Sequence, residues 1–125
     1  MKHVFTRFNV LVLLVGALAA STGASLAMAR QQKPQVVEIF VERFSFTPSE
    51  FKFKAGAPVE IRLRSDDTDH GFRIVDTELN ATIPKRRRGE TVVKYIADTA
   101  GRFVIECSRP CGAGHTAMRA TLVVK

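Results

Sequence analysis

At 125 residues the chain has room for one domain. Its 19 lysines and arginines outnumber 12 acidic residues, for a formal charge of +7, which invites an acidic protein partner or an anionic lipid surface, although a plain solvated surface has the same composition. Basic and aromatic residues are not interleaved as on a single-strand nucleic-acid platform, so nucleic acid is set aside as a partner.

Residues 1–29 have the layout of a secretory signal peptide. Met1, Lys2 and His3 with Arg7 form a basic start, Val10 to Ala20 an apolar run, and Ala27-Met28-Ala29 the small-x-small pattern before Arg30. The stretch from Val10 to Ala29 is also long enough for an uncleaved membrane anchor. Ser21, Thr22, Gly23 and Ser25 dilute its second half and favour cleavage. On either reading the domain lies outside the cytoplasm, a periplasmic or other extracytoplasmic setting where cysteines are free to pair. Cleavage removes Lys2 and Arg7 and no acidic residue, so the +7 becomes +5.

Residues 30–35 read as a flexible lead-in. Beyond them the pattern is that of strands. "VVEIFVERF" (36–44) sets Val37, Ile39 and Val41 against Glu38 and Glu42, the period of two of a half-buried strand. "FSFTPSEFKFKAG" (44–56) repeats it with Phe44, Phe46, Phe51 and Phe53, punctuated by Pro48 and Gly56. "PVEIRLRS" (58–65), "GFRIV" (71–75), "TVVKYIA" (91–97), "RFVIEC" (102–107) and "ATLVVK" (120–125) bring the expected total to about seven strands. No long helical period intervenes, and the expected architecture is an all-β antiparallel sandwich.

The longest connection, 76–90, holds the run Lys85, Arg86, Arg87 and Arg88. It reads equally as a docking patch for an acidic partner or a membrane and as a solvated loop. Asn80-Ala81-Thr82 fits an N-glycosylation triplet, a pattern common by chance.

After the leader the only histidines are His70 and His115, the only cysteines Cys107 and Cys111, and the only methionine Met118. Four of these five fall within "CSRPCGAGHTAM" (107–118). Pro110, Gly112 and Gly114 exclude a helix there and make the segment a loop following a strand. A Cys107–Cys111 disulfide leaves His115 and Met118 without a role. Thiolate and thioether ligands favour copper; zinc has no use for Met118, and iron–sulfur centres take more cysteines. A mononuclear blue-copper site needs one thiolate, and the second suggests two copper ions bridged by both sulfurs.

"CSRPCGAGHTAM" resembles the C-S-x-x-C-G-x-G-H-x-x-M loop of the CuA domain of cytochrome c oxidase subunit II, a cupredoxin Greek-key β-sandwich. The likeness spans residues 36–125, and "FTPSEFKFKAGAPVEIRLRSDDTDHGF" is similar to the family's run up to its first copper-ligating histidine. The resemblance implies a dinuclear copper centre ligated by His70, Cys107, Cys111, His115 and Met118, with the backbone carbonyl of Arg109. Both cysteines would bridge, each histidine would bind one ion, and Met118 would be a weak axial ligand. Arg109 stands where the family usually has a glutamate that also serves a magnesium site, and the chain has no Trp, whereas the family uses aromatic residues as an electron entry point.

The expected function is therefore one-electron transfer in a respiratory chain, with a cytochrome c or an oxidase subunit as redox partner. Asp66, Asp67 and Asp69 suit loop solvation or support of an imidazole better than substrate activation, so the chain reads as a carrier rather than an enzyme by itself. Two other readings stay open: a mononuclear copper-binding or copper-delivery module, and a metal-free interaction domain with a Cys107–Cys111 disulfide.

Overall fold

A computed structural model describes residues 32–125, and the leader proposed for residues 1–29 lies outside them. Nine strands follow in order: β1 (Gln35–Glu42), β2 (Ser45–Thr47), β3 (Glu50–Phe53), β4 (Pro58–Ser65), β5 (His70–Ile74), β6 (Asn80–Ile83), β7 (Thr91–Ile96), β8 (Gly101–Glu106) and β9 (Arg119–Val124). They form a four-stranded sheet in the order β2-β1-β4-β7 and a five-stranded sheet in the order β3-β9-β8-β5-β6. No helix among the described residues is long and apolar enough to cross a membrane.

The fold is the expected all-β sandwich, refined in three respects. The stretch around Pro48 is two strands: β2 pairs with β1 in one sheet and β3 with β9 in the other. Proline has no N–H to donate to a ladder, which suits the point where the chain changes sheets. β6 lies inside the segment expected to be a connection. Of its sequence NATI only Ile83 is buried, too little apolar alternation to announce a strand. The expectation of purely antiparallel pairing is also corrected: β1 runs parallel to β4, and β3 parallel to β9. Crossing between sheets through β2 and β3 brings the chain back beside β1 in the same direction.

Side-chain alternation builds the core. Val59, Ile61 and Leu63 of β4 are at most 1% exposed, while Arg64 on the opposite face reaches solvent. The rings of Phe46 on β2 and Phe72 on β5 meet edge-to-face, with centroids 6.1 Å apart, and join the two sheets. Complete burial of a phenylalanine such as Phe72 contributes about 1.5–3 kcal/mol.

The same alternation positions the chemistry-bearing residues. On β5, His70, Phe72 and Ile74 share the inward face, and all three are 0% exposed. Ile105 near the end of β8 is followed two residues later by buried Cys107. Ahead of β9, Met118 continues inward the face of Ala120, Leu122 and Val124. Because β8 pairs antiparallel with β9, Glu106 opposite Arg119, the backbone N–H of Cys107 donates to the carbonyl of Met118 at 3.2 Å. Three of the five soft side chains therefore sit at strand ends, pointing into one end of the sandwich.

Candidate metal centre

Cys111 and His115 reach the same end from the loop between β8 and β9. Gly112 holds φ at 141°, a conformation that favours glycine. Backbone hydrogen bonds from His115 to Gly112, Ala117 to Gly114 and Met118 to His115 close the short 3-10 turn His115–Ala117. This coiling brings His115 and Met118 back towards the cysteines.

The donor atoms form a connected set. His70 Nδ1 lies 3.9 Å from Cys107 Sγ, and the two cysteine sulfurs are 3.9 Å apart. His115 Nδ1 and Met118 Sδ each lie 3.8 Å from Cys111 Sγ. The Arg109 carbonyl oxygen lies 3.1 Å from Cys107 Sγ. Within the set, one ligand atom from each of His70, Cys107 and Cys111 falls within 4.8 Å of the others. Both cysteines are free thiols, their separation far beyond the roughly 2.05 Å of a disulfide bond. His70, Cys107, Cys111 and Met118 are buried and His115 is half-buried.

Asp67 sets the orientation of His70. Its Oδ1 lies 2.7 Å from His70 Nε2. Burial pushes the Asp67 carboxyl up, but hydrogen bonds from His70 and from the backbone N–H groups of Arg43 and Thr68 outweigh it and hold the pKa at about 2. An ionised carboxylate only accepts hydrogen bonds, so it places the imidazole proton on Nε2 and leaves the Nδ1 lone pair facing the sulfurs. Of the three aspartates read as loop groups, only Asp67 touches the imidazole. Asp69 accepts a hydrogen bond from the Lys85 backbone and lies 3.8 Å from the Arg109 guanidinium.

Burial, and then the neighbouring Cys107, push the Cys111 thiol up to about 11. A thiolate at Cys111 would be buried beside a second sulfur, which is why its proton is held. The Gly71 backbone N–H points at Cys107 Sγ, 3.4 Å away. A side chain at Gly71 would strike Ser108 Oγ and come within 2.7 Å of the backbone nitrogens of Ser108 and Arg109, so this glycine lets β5 pass against the cysteine loop.

Two contributors carry no signal in the sequence. Arg43, in the β1–β2 turn, donates from Nε to the Cys111 carbonyl at 2.7 Å and from its backbone N–H to Asp67 Oδ2 at 2.9 Å. It thereby ties the histidine arm to the cysteine loop. Phe44 lies across the loop, so close to Gly114 that a β-carbon there would collide with its ring. Arg43 belongs to no local motif, and Phe44, expected on a strand face, lies in the turn instead; both roles arise from contacts distant in sequence. The Lys85–Arg88 run lies beside the His70 loop, where the Arg86 backbone N–H donates to the Asp67 carbonyl at 3.2 Å.

The donor set has the composition of a soft-metal site: two thiols, two imidazoles and a thioether, mostly sheltered from water, with one imidazole fixed by a carboxylate. A cation at the two thiols would offset the burial and the neighbouring sulfur that together raise the Cys111 pKa.

A family model described as "Cupredoxin-like domain" matches residues 10–124. Cytochrome c oxidase subunit 2 of Thermus thermophilus is 32% identical over 98 residues, covering 76% of this chain and 70% of the relative. A second cytochrome c oxidase subunit 2 from the same organism is also 32% identical over 98 residues, covering 76% of this chain and 56% of the relative. The periplasmic domain of subunit II of cytochrome oxidase from Bradyrhizobium japonicum superposes with a TM-score of 0.63, at 15% identity, over 73% of this chain and 83% of that one. The chain belongs to the cupredoxin-like family, among the relatives of cytochrome c oxidase subunit 2.

Proposed function

We propose that the protein is an extracytoplasmic one-electron carrier whose loop holds two copper ions. The observation that carries this reading is the pairing of donors. The two thiols stand 3.9 Å apart, and each faces its own imidazole, Cys107 facing His70 at 3.9 Å and Cys111 facing His115 at 3.8 Å. A disulfide would not need the histidines, and a single-thiolate site would not need the second cysteine.

In this reading Cys107 and Cys111 would hold both ions, His70 and His115 would each hold one, and Met118 and the Arg109 carbonyl would stand by as weaker donors. Bound copper supplies a one-electron couple. The chain's part is to hold the ligands in one geometry in both oxidation states. It does so by anchoring them at strand ends, by fixing His70 through Asp67 and by clamping the loop through Arg43. Burial of His70, Cys107, Cys111 and Met118 limits access of water to these donors. The half-buried His115 offers an edge where a redox partner can approach. The leader reading of residues 1–29 places this chemistry outside the cytoplasm, and similarity to oxidase subunit 2 makes a cytochrome c or an oxidase subunit the natural exchange partner.

A mononuclear reading has one specific support: His70, Cys107 and Cys111 by themselves form a compact cluster able to hold one ion. Loading the reduced full chain with copper separates the two. Two ions per chain and a spin-resonance signal shared equally between two copper nuclei are expected, with the signal lost in Cys107→Ser. One ion per chain, or an unchanged signal in that variant, overturns the dinuclear reading. A chain that takes up no copper and instead oxidises to a disulfide overturns the carrier.

A further inference from the structure

The basic run is joined to the metal-site end of the fold. β5 pairs antiparallel with β6, His70 opposite Ile83, so the chain leaves β6 beside the buried imidazole and enters the run two residues later. Two backbone hydrogen bonds then fasten it to the His70 loop: Lys85 N–H to Asp69 Oδ1 at 2.8 Å, and Arg86 N–H to the Asp67 carbonyl at 3.2 Å. A third, from Arg88 N–H to the Lys85 carbonyl at 3.0 Å, closes the turn on itself. All four side chains are exposed, and among the described residues none lies within 4.0 Å of a carboxylate.

None of the nearby acids pairs directly with a side chain of the run: Asp67 bonds His70, Asp69 the Lys85 backbone N–H and Arg109, and Glu90 lies 3.6 Å from Arg64. Arg86 and Arg87 also line a recess of about 340 Å³ together with Arg64, Phe40 and Asp66; with Arg64 paired to Glu90, two cations face one acid there, a net positive charge that suits a partner's carboxylate. Arg87 holds φ at 64°, in the region that favours glycine, while its side chain extends to solvent.

We infer that the Lys85–Arg88 loop is the docking rim for an acidic redox protein, which it steers onto the end of the fold that holds the centre. This rests on the electron-carrier reading of the site. The cations are fastened to the loop that precedes His70, so a partner whose exposed cofactor edge is ringed by carboxylates is drawn to that end. The exchange moves one electron: a reduced partner is oxidised, the copper pair is reduced, and no proton or bond changes place. An anionic membrane would satisfy the charge but offers no cofactor, so the acidic protein is favoured.

The probe is a mitochondrial cytochrome c in two forms, native and basic, or succinylated on its lysines and acidic. Stopped-flow rates of electron transfer from each ferrous form to the copper-loaded full chain are compared at low and high salt. The succinylated form is expected to react at least 10-fold faster at low salt and to lose that advantage as salt rises. Changing Lys85, Arg86, Arg87 and Arg88 to Gln should remove the advantage, with far-ultraviolet dichroism confirming the fold. Changing Lys33, Lys54, Lys94 and Lys125 to Gln, which removes the same charge from the opposite end, should leave it nearly intact. Equal loss in both variants would show that net charge alone acts, and overturns the rim. Lack of preference for the succinylated form overturns it too, as does patch-dependent binding to phosphatidylcholine–phosphatidylglycerol vesicles without that preference. Binding of the succinylated form to the copper-free chain, followed by calorimetry, separates the two readings. If patch-dependent binding persists while the copper-loaded chain exchanges no electrons, the rim stands and the carrier falls.

Discussion

Arg43 Nε donates a hydrogen bond of 2.7 Å to the carbonyl of Cys111, a residue 68 positions away. The backbone N–H of Arg43 also binds Asp67, which in turn holds His70, so one turn residue joins both arms of the centre. Replacing it with Met keeps most of the side chain's length and removes the donor. A hydrogen bond from a charged group contributes about 1.5–3 kcal/mol. Arg43→Met should therefore lose a stability of that order in urea unfolding of the copper-free chain. Its copper spin-resonance signal should broaden as the Cys111 loop samples more than one position. Unchanged stability and signal would refute the clamp.

Asp67→Asn tests the orientation of His70. The amide can turn either its oxygen or its nitrogen to Nε2, so the imidazole loses its imposed tautomer. Copper affinity, read by competition with a chelator, should fall about 10- to 100-fold, the usual range for loss of a carboxylate behind a metal-binding histidine. The acid dependence has a defined sign. The folded carboxyl titrates at about 2 against an ordinary 3.8, so its contribution to stability is complete above the ordinary value and disappears as pH falls through about 2. The stability difference between wild type and Asp67→Asn should shrink over that window.

Copper loading should release protons. Cys111 is held protonated to about 11 in the copper-free site and must ionise to bind metal. A weakly buffered titration at pH 7 should acidify, and apparent affinity should fall as pH is lowered; Cys111→Ser should release less. Without copper the sign is the reverse of the Asp67 case. A thiol raised from 9.0 to about 11 stabilises the fold below the lower value, and that contribution is lost as pH rises to the upper one.

Gly71→Ala should be the most damaging glycine substitution near the site. The new methyl would press on Ser108 and the Arg109 backbone, and overpacking of this kind costs about 1–3 kcal/mol. At Gly56, where nothing lies within 4 Å of an added methyl, only the strain of a positive φ remains, about 1–2 kcal/mol. Gly71→Ala should also lower copper uptake, while Gly56→Ala should leave uptake unchanged; metal content after loading distinguishes them.

Much of the fold is legible because half-buried strands advertise their period. Val59, Ile61 and Leu63 alternate with charged residues, and the inward face is the one expected. Asn80–Ile83 is not, because its neighbours supply its pairing, with little apolar pattern of its own. The stretch around Pro48 reads as one unit because alternation does not record which sheet a strand joins.

The amino-acid sequence by itself determined the donor types and their spacing in 107–118, since these depend on residue chemistry alone. Only the tertiary structure decided that Asp67, rather than Asp66 or Asp69, holds His70, that Arg43 clamps the cysteine loop, and that Lys85 to Arg88 lie beside the centre. A hydrogen bond is directional and short, so its partners are set by how strands pair and cross between the sheets, which no stretch of neighbouring residues encodes.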